Sequence, residues 1–221
     1  LTRPVVNEYA ELIKKILQNL GFDNAFRERR FQMVPTHDVD HLFYPFPSVR
    51  SLLSNFFRGK FKTLTRHIQS AVSKNPYNTF SYLMDISEKY GVQSRFYFMS
   101  AAADILDKGK KKQKEELLSI LKEIQARGHI IGFHPGYGTA IDEIRWKAEM
   151  ETLQSAFNLE VEEGRQHYLQ FEVPRTWSIW NSHSMVTDST MGYPEAPGFR
   201  CGTCYAFPVF DILRREQLPL M

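Results

Sequence analysis

Cysteine is scarce in this sequence, and its two cysteines stand close together. Among 221 residues only Cys201 and Cys204 carry a thiol, which excludes a disulfide-rich scaffold and a closed four-cysteine zinc site. Their Cys-x-x-Cys spacing also occurs in thiol redox proteins. Such proteins place the reactive thiol at the start of a helix, whereas Cys204 is followed by Tyr-Ala-Phe-Pro. We therefore set the redox interpretation aside.

Long apolar runs and a strong charge of either sign are also absent. No segment approaches the ~18 to 20 apolar residues of a membrane span, and the first residues do not combine a basic stretch with an apolar one, as a signal peptide does. The formal net charge is +3, from 28 Lys and Arg against 25 Asp and Glu. We therefore predict a cytoplasmic protein without a membrane span or a nucleic-acid partner, although the missing initiator Met leaves room for a preceding segment.

The rest of the composition is that of an ordinary folded protein. Hydrophobic residues make up 43% of the sequence and charged residues 24%. A chain of this length buries enough apolar surface to form a core without disulfides. Length also favours one large domain over several small ones, so the prediction is a single domain covering residues 1–221.

Apolar residues alternate between helical and strand-like spacing along the chain. Helical spacing predicts helices at about 9–20, 80–90, 117–128, 144–157 and from residue 174, and short apolar runs predict strands at about 31–36, 92–99, 129–133, 165–171 and 185–188. This alternation favours a parallel sheet, and five or more such units favour a (β/α) barrel over an open sheet. Residues 42–76, rich in Phe and basic residues, are predicted to form a long, partly helical insertion that either contacts sugars or covers the barrel.

Two aspartates follow the first predicted strand. Asp38 and Asp40 are two residues apart, so on extended backbone their carboxylates point the same way and can face one cavity. One of them can then bind a cation while the other accepts a proton. The same spacing also fits a solvated loop or a helix cap.

Three further polar residues stand at later predicted strands. His134 ends a strand and precedes Pro-Gly, where a neutral imidazole can bind a divalent metal; a single histidine can equally be structural. Arg165 and His167 are again two residues apart, so they can supply a partner for a carboxylate and a further nitrogen ligand. For Arg165 the alternative is a surface salt bridge.

Short motifs occur in an order that resembles the NodB-homology polysaccharide deacetylases, carbohydrate esterase family four. In chain order they read THDVD at 36–40, GHIIGFH at 128–134, GRQHY at 164–168, DSTMGY at 188–193 and GFR at 198–200. The resemblance covers about residues 31–211 and implies an irregular (β/α) barrel of about seven strands, cut short at its C-terminus. It also implies hydrolysis of the acetamido group of an N-acetylated saccharide with a divalent metal, zinc being the expected one.

The resemblance also implies a role for single residues. Asp38 corresponds to the general base, Asp40 to the metal-binding aspartate, His134 to the first metal-binding histidine and Arg165 to the arginine that orients the base. The family's second metal-binding histidine stands four residues after the first. That position is Gly138 in this chain.

Another side chain therefore has to complete the ligand set, since catalytic zinc sites normally have three protein ligands. We predict His167, which stands where the family has a proline beside its arginine; Tyr137 or Thr139 is a weaker candidate. The sequences HPGY at 134–137 and RQHYL at 165–169 resemble those of a bacterial subgroup of the family that is associated with surface-polysaccharide genes.

The end of the chain departs from the family pattern as well. The family's catalytic acid, a histidine in a late motif, has no counterpart before Met221, so we expect this chain to lack its acid; His37 or His41 is the alternative. The leading hypothesis is a metal-dependent hydrolase that deacetylates a saccharide substrate. The rival hypothesis is a catalytically silent saccharide-binding barrel, and metal content separates the two.

Overall fold

A parallel sheet forms the centre of the computed structural model, which describes residues 1–22, 26, 30–44, 49–62 and 75–221. Its strands pair side by side in chain order: β1 (Thr36–Val39), β2 (Arg95–Phe98), β3 (Ile130–Phe133), β4 (Glu163–Gly164) and β5 (Thr187–Asp188). All neighbouring strands are parallel. Because parallel crossovers are right-handed and the strand order never reverses, the connections wind in one direction, as in a barrel rather than a doubly wound sheet.

Helices connect and flank these strands. Within the described residues they are α1 (Val5–Asn19), α2 (Val49–Phe57), α3 (Phe80–Lys89), α4 (Ala101–Lys108), α5 (Lys111–Ala126), α6 (Glu143–Phe157) and α7 (Arg175–Ser182). The helices predicted from apolar spacing are confirmed. Helix α4 was not predicted, because its eight residues are too few for an apolar period to stand out. No helix in the described ranges is both long and apolar enough to cross a bilayer.

Two strands lie at positions that differ from the prediction. The sequence predicts a first strand at 31–36, but β1 begins only at Thr36. It also predicts a strand at 165–171, but β4 ends at Gly164. Tyr168, in the loop that follows, has a left-handed backbone with φ 56°, which a strand does not allow. The apolar residues at 165–171 therefore suggested a strand that this segment does not form.

The expected barrel of about seven strands is not confirmed. Within the described residues the parallel sheet has five strands, and β6 (Phe210–Asp211) and β7 (Glu216–Gln217) form a separate antiparallel pair. The chain then returns to the sheet, because Met221 donates a backbone hydrogen bond to Val186 (2.8 Å) and accepts one from Asp188 (2.7 Å). The structure therefore supports a mixed α/β fold with a five-stranded parallel sheet.

The predicted insertion at 42–76 is described only in part, since residues 45–48 and 63–74 lie outside the described residues. Its helical character is confirmed for α2. Phe56 and Phe57, at the end of α2, are 54% and 82% exposed. These rings therefore do not belong to the core.

The core lies between the sheet and the helices packed on it. Phe98 and Phe133 of the sheet are fully buried, as are Trp146 of α6 and Trp180 of α7. Phe133 packs edge-on against Trp146 with ring centroids 5.2 Å apart. With the apolar side chains collected there, Asp40, His134, Arg165 and His167 remain in the loops that follow the strands.

Gly164 lies where two strands approach too closely for a side chain. A Cβ atom at this residue would lie 1.9 Å from the carbonyl oxygen of Phe133. We expect Gly164→Ala to lower the free energy of unfolding by about 2 to 3 kcal/mol or more, because β3 and β4 must separate to admit the methyl group. Urea denaturation measures this change. Gly192→Ala is the control, since its Cβ would meet Leu169 at 3.6 Å; equal losses in both variants would contradict the explanation.

Candidate metal centre

The carboxyl ends of the parallel strands bring the predicted site residues together. Asp38 lies in β1 and Asp40 just after it, His134 follows β3, and Arg165 and His167 follow β4. All of them line one open cavity of about 470 Å³. Because parallel strands present their following residues at one edge of the sheet, residues far apart in the chain become neighbours there.

Asp40, His134 and His167 form a triangle of potential ligand atoms. Nε2 of His134 lies 3.0 Å from Nδ1 of His167 and 3.3 Å from Oδ1 of Asp40. The third side, from Nδ1 of His167 to Oδ1 of Asp40, is 3.6 Å long. Three ligand atoms from three different side chains are thus close enough to share one metal ion.

The size of this triangle fits a tetrahedral metal ion. Zinc binds imidazole nitrogen and carboxylate oxygen at about 2.0 to 2.2 Å, which places neighbouring ligand atoms about 3.3 to 3.5 Å apart. The observed sides of 3.0, 3.3 and 3.6 Å lie around that separation. Two imidazoles and one carboxylate are also a ligand set of catalytic zinc sites, which keep a further position for water or substrate. The residues present therefore fit a zinc-like divalent ion.

A hydrogen bond determines the tautomer of His134. Its Nδ1 lies 2.6 Å from the backbone oxygen of Arg165. Because a carbonyl oxygen can only accept, Nδ1 carries the proton and Nε2 presents its lone pair to Asp40 and His167. Burial is the main cause that lowers the pKa of His134, which favours the neutral ring that binds metals.

The turn after His134 shows why the position of the family's second histidine holds no ligand. Gly138 has a left-handed backbone with φ 83° and donates its N–H to Oε1 of Gln170 (2.8 Å). In the same turn the N–H of Gly136 donates to Oε2 of Glu149 (2.7 Å). Gly138 therefore shapes the loop in a conformation that favours glycine, and the second imidazole of the triangle belongs to His167, in the loop after β4. Glu149 and Gln170 could not be predicted from the sequence, because nothing in their spacing points to this turn.

The two weaker ligand candidates are engaged elsewhere. The hydroxyl of Thr139 is buried and donates to the carbonyl oxygen of Gly136 (2.7 Å). Tyr137 is 63% exposed, and its ring packs against that of Tyr168. The geometry thus favours His167 over both of them as the third ligand.

Arg165 ties Asp38 to the same site. Nη1 of Arg165 donates to Oδ1 of Asp38 (3.2 Å), Nη2 donates to Oγ1 of Thr36 (2.6 Å), and Nε donates to the backbone oxygen of Ser189 (3.1 Å). Three acceptors hold the planar guanidinium in place, so that it orients Asp38 through a charge-assisted hydrogen bond. The contact of Thr36 with Arg165 was not predicted, although a residue two positions before Asp38 on a strand lies on the same face.

The other histidines near these residues face elsewhere. Nε2 of His37 lies 3.1 Å from Oγ of Ser94, and Nδ1 of His129 accepts the backbone N–H of Ser94 (2.9 Å). Neither histidine is among the described residues that line the cavity around Asp40, His134 and His167, called the metal cavity below. His41 is exposed and lines a neighbouring cavity that shares Asp40 with the first. Of the two alternative acids, His37 therefore faces away from the site.

The two cysteines are both free thiols. Cys201 is half-buried, and burial raises its pKa, whereas a redox-active thiol needs a lowered pKa. Cys204 is exposed. These observations agree with setting the redox interpretation aside.

Asp188, at the end of β5, is a carboxyl with one unpaired oxygen. Its Oδ1 accepts the backbone N–H of Thr190 (2.9 Å) and the hydroxyl of the same residue. Its Oδ2 is buried and has no hydrogen bond of normal geometry among the described residues, although Trp177 lies close enough to favour the charged form slightly. Burial is the main cause that raises the pKa of Asp188 to about 6.

This raised pKa predicts that stability depends on pH. An aspartate in the unfolded chain titrates near pH 4, so the contribution of neutral Asp188 is fully present below about pH 4 and is lost as the pH rises through about 6. Asp188→Asn keeps an acceptor for Thr190 and removes the ionisation. We expect this variant to be about 1 to 3 kcal/mol more stable than wild type at neutral pH, and to differ little from it at about pH 4.

Urea denaturation at both pH values measures this difference. Asp104→Asn is the control, because the side chain of Asp104 is 72% exposed. A gain for Asp188→Asn that is equally large at about pH 4 would contradict an origin in ionisation.

Comparison with known proteins found one weak structural match. No protein-family model and no curated protein matches it. Among solved structures, the crystal structure of a "putative polysaccharide deacetylase" from Mycobacterium smegmatis matches with 16% sequence identity and a TM-score of 0.44, over 72% of this chain and 51% of that chain. This chain therefore spans about half the length of that structure. A similarity this weak carries no functional argument, so function has to be inferred from the site.

Proposed function

We propose that this chain is a metal-dependent hydrolase that removes an acetyl group from an N-acetylated saccharide. The observation that carries the proposal is the meeting of three ligand atoms, on Asp40, His134 and His167, with the Asp38–Arg165 ion pair in one cavity. The resemblance of the sequence motifs to NodB-homology deacetylases suggests the reaction and the substrate class. In this proposal residues 1–221 act as one deacetylase-like domain.

Asp40, His134 and His167 are the residues that would hold a zinc ion. Held there, such an ion would act as a Lewis acid toward the amide carbonyl and would lower the pKa of the attacking water. His134 is prepared for this role because its Nδ1 proton is committed to the carbonyl oxygen of Arg165. Such outer hydrogen bonds orient metal-binding imidazoles and raise their basicity.

Asp38 is the proposed proton acceptor. Its carboxylate lines the same cavity as the three ligands, but it is absent from the triangle that they form. It is thus available to take the proton of the water that attacks the amide carbonyl. Arg165 positions Asp38 through its side chain and His134 through its backbone oxygen, so one residue aligns the base with a metal ligand.

The lining of the cavity suits a saccharide. Carboxylate, guanidinium and imidazole groups line it together with Leu169, Tyr193 and Pro194. A sugar ring combines polar hydroxyl and amide groups with an apolar face of C–H groups. A cavity with both kinds of wall can therefore contact both parts of such a ligand.

The test combines metal analysis with an acetate-release assay. Protein loaded with zinc is expected to bind one ion per chain and to release acetate from N-acetylated chitin oligosaccharides or peptidoglycan fragments, and chelation is expected to abolish the release. Zinc binding without acetate release from either substrate would favour the silent saccharide-binding barrel. Failure to bind zinc at this site would contradict the proposal.

A further inference from the structure

Two tyrosines form an exposed aromatic surface at the rim of the metal cavity. Tyr168 is 69% and Tyr137 63% exposed, and their ring centroids lie 6.1 Å apart in an edge-to-face arrangement. Tyr168 lines the metal cavity, and its ring centroid lies 4.2 Å from that of His167. The tyrosine pair, Tyr137 and Tyr168, therefore adjoins a proposed metal ligand.

The loop after β4 holds Tyr168 in a backbone conformation that tyrosine rarely adopts. Tyr168 and Leu169 have left-handed φ angles of 56° and 51°, which residues other than glycine rarely adopt. The hydrogen bond from the N–H of Gly138 to Oε1 of Gln170 ties the Tyr137 loop to the Tyr168 loop (2.8 Å). Strained residues of this kind cluster at ligand-binding sites, where the surrounding structure enforces them.

Folding itself gains little from placing these rings at the surface. Most of each ring is in solvent, so the hydrophobic stabilisation that an aromatic side chain can give is largely unused in the free protein. A ligand with an apolar face would recover it. The C–H face of a pyranose ring is such a face, and the proposed substrate is a saccharide.

We propose that Tyr168 and Tyr137 form a subsite that binds the sugar unit next to the one that is deacetylated. This inference rests on the proposed deacetylase function. Tyr168 borders the metal cavity, whereas Tyr137 is not among the residues that line it, so the pair extends the binding surface away from the metal centre. The substrate is accordingly a saccharide of at least two units rather than a free monosaccharide.

Tyr168→Ala tests the subsite, with chitotriose and the methyl glycoside of N-acetylglucosamine as probes. For chitotriose we expect KM to rise about tenfold or more and kcat to change less than about threefold, since an apolar contact is lost but no reacting group. KM for the methyl glycoside is expected to rise less than that for chitotriose, because Tyr168 also lines the metal cavity but this probe has no second sugar unit. Tyr168→Phe keeps the ring and should behave like wild type.

Two controls separate this effect from damage to the site. Tyr82→Ala removes a similarly exposed tyrosine (65%) on α3 and should leave both KM values unchanged. Zinc content is measured for each variant, because Tyr168 directly follows His167. A KM for the methyl glycoside that rises as much as that for chitotriose would place the ring at the deacetylated unit and overturn the inference.

Calorimetric binding of chitotriose to chelator-treated protein separates the subsite from the hydrolysis. Binding that weakens about tenfold in Tyr168→Ala, the loss of about 1.4 kcal/mol, would support the subsite even if no acetate were released. Acetate release with an unchanged KM in Tyr168→Ala would overturn the subsite and leave the proposed function standing. Absence of chitotriose binding by both the chelated and the zinc-loaded protein would overturn the subsite as well.

Discussion

Asp38→Asn is expected to lower the rate of acetate release from an N-acetylated saccharide by about 10²- to 10⁴-fold, the range that a positioned general base contributes. The variant loses the proton acceptor but keeps an oxygen that can accept the hydrogen bond from Arg165, which is 3.2 Å long in the wild type. Its fold and its zinc content should therefore remain. Acetate release under saturating substrate and zinc per chain by elemental analysis are the two measurements.

Zinc content decides what a loss of activity in this variant means. Retained zinc with lost turnover is the expected pair of results for a base that is not a ligand. Zinc lost together with activity would move Asp38 into the ligand set and contradict its role as the base. Asp104→Asn, on the exposed face of α4, is the control for a carboxylate removed elsewhere.

His167→Ala is expected to weaken zinc binding by more than about 100-fold, because removing a direct ligand should cost at least as much as removing an outer hydrogen bond, which costs about 10- to 100-fold. The variant leaves His134 and Asp40, whose ligand atoms are 3.3 Å apart, as a two-ligand site. Competition with a chromophoric chelator measures the zinc affinity. Acetate release should fall in parallel.

His41→Ala provides the matched control for His167→Ala. His41 is exposed and adjoins Asp40 in the chain, but it does not belong to the ligand triangle. Its removal should leave zinc affinity unchanged. Unchanged zinc affinity in His167→Ala itself would show that the third ligand is a different residue.

In the proposed site, the loop after β4 carries both a candidate metal ligand, His167, and the arginine that contacts the proposed base, Arg165. His167 follows Arg165 by two residues, and Arg165 donates to Asp38 while its backbone oxygen accepts from His134. The rings of His134 and His167 meet edge to face with centroids 5.0 Å apart. A displacement of this short loop would therefore alter both the ligand geometry and the position of the base.

Apolar periodicity was sufficient to predict the longer elements. Helices α5 and α6 and strands β2 and β3 lie close to their predicted positions, because a repeated apolar position has to be buried on one face whatever the rest of the fold is. The strand-end positions of Asp40 and His134 could be predicted for the same reason. Parallel strands end at a common edge, so their following residues were expected to meet there.

Short elements depended on the surrounding structure. Strand β4 has only two residues, too few for a period of two to be recognised, and the left-handed φ of Tyr168 is imposed by neighbouring loops. Whether consecutive βα units close into a barrel also depends on contacts between strands that are distant in sequence. That is why the parallel sheet was foreseen and its extent was not.

The sequence predicted His167 as the third ligand ahead of Tyr137 and Thr139, but only the tertiary structure shows that its ring meets that of His134. His167 is 33 residues from His134 in the chain, and that separation carries no information about distance until β3 and β4 pair. The pairing of Phe133 with Gly164 places the loop after β4 beside the residue that follows β3, and it brings Nδ1 of His167 within 3.0 Å of His134. Hydrogen-bond register between strands, rather than spacing along the chain, sets which side chains meet at this candidate site.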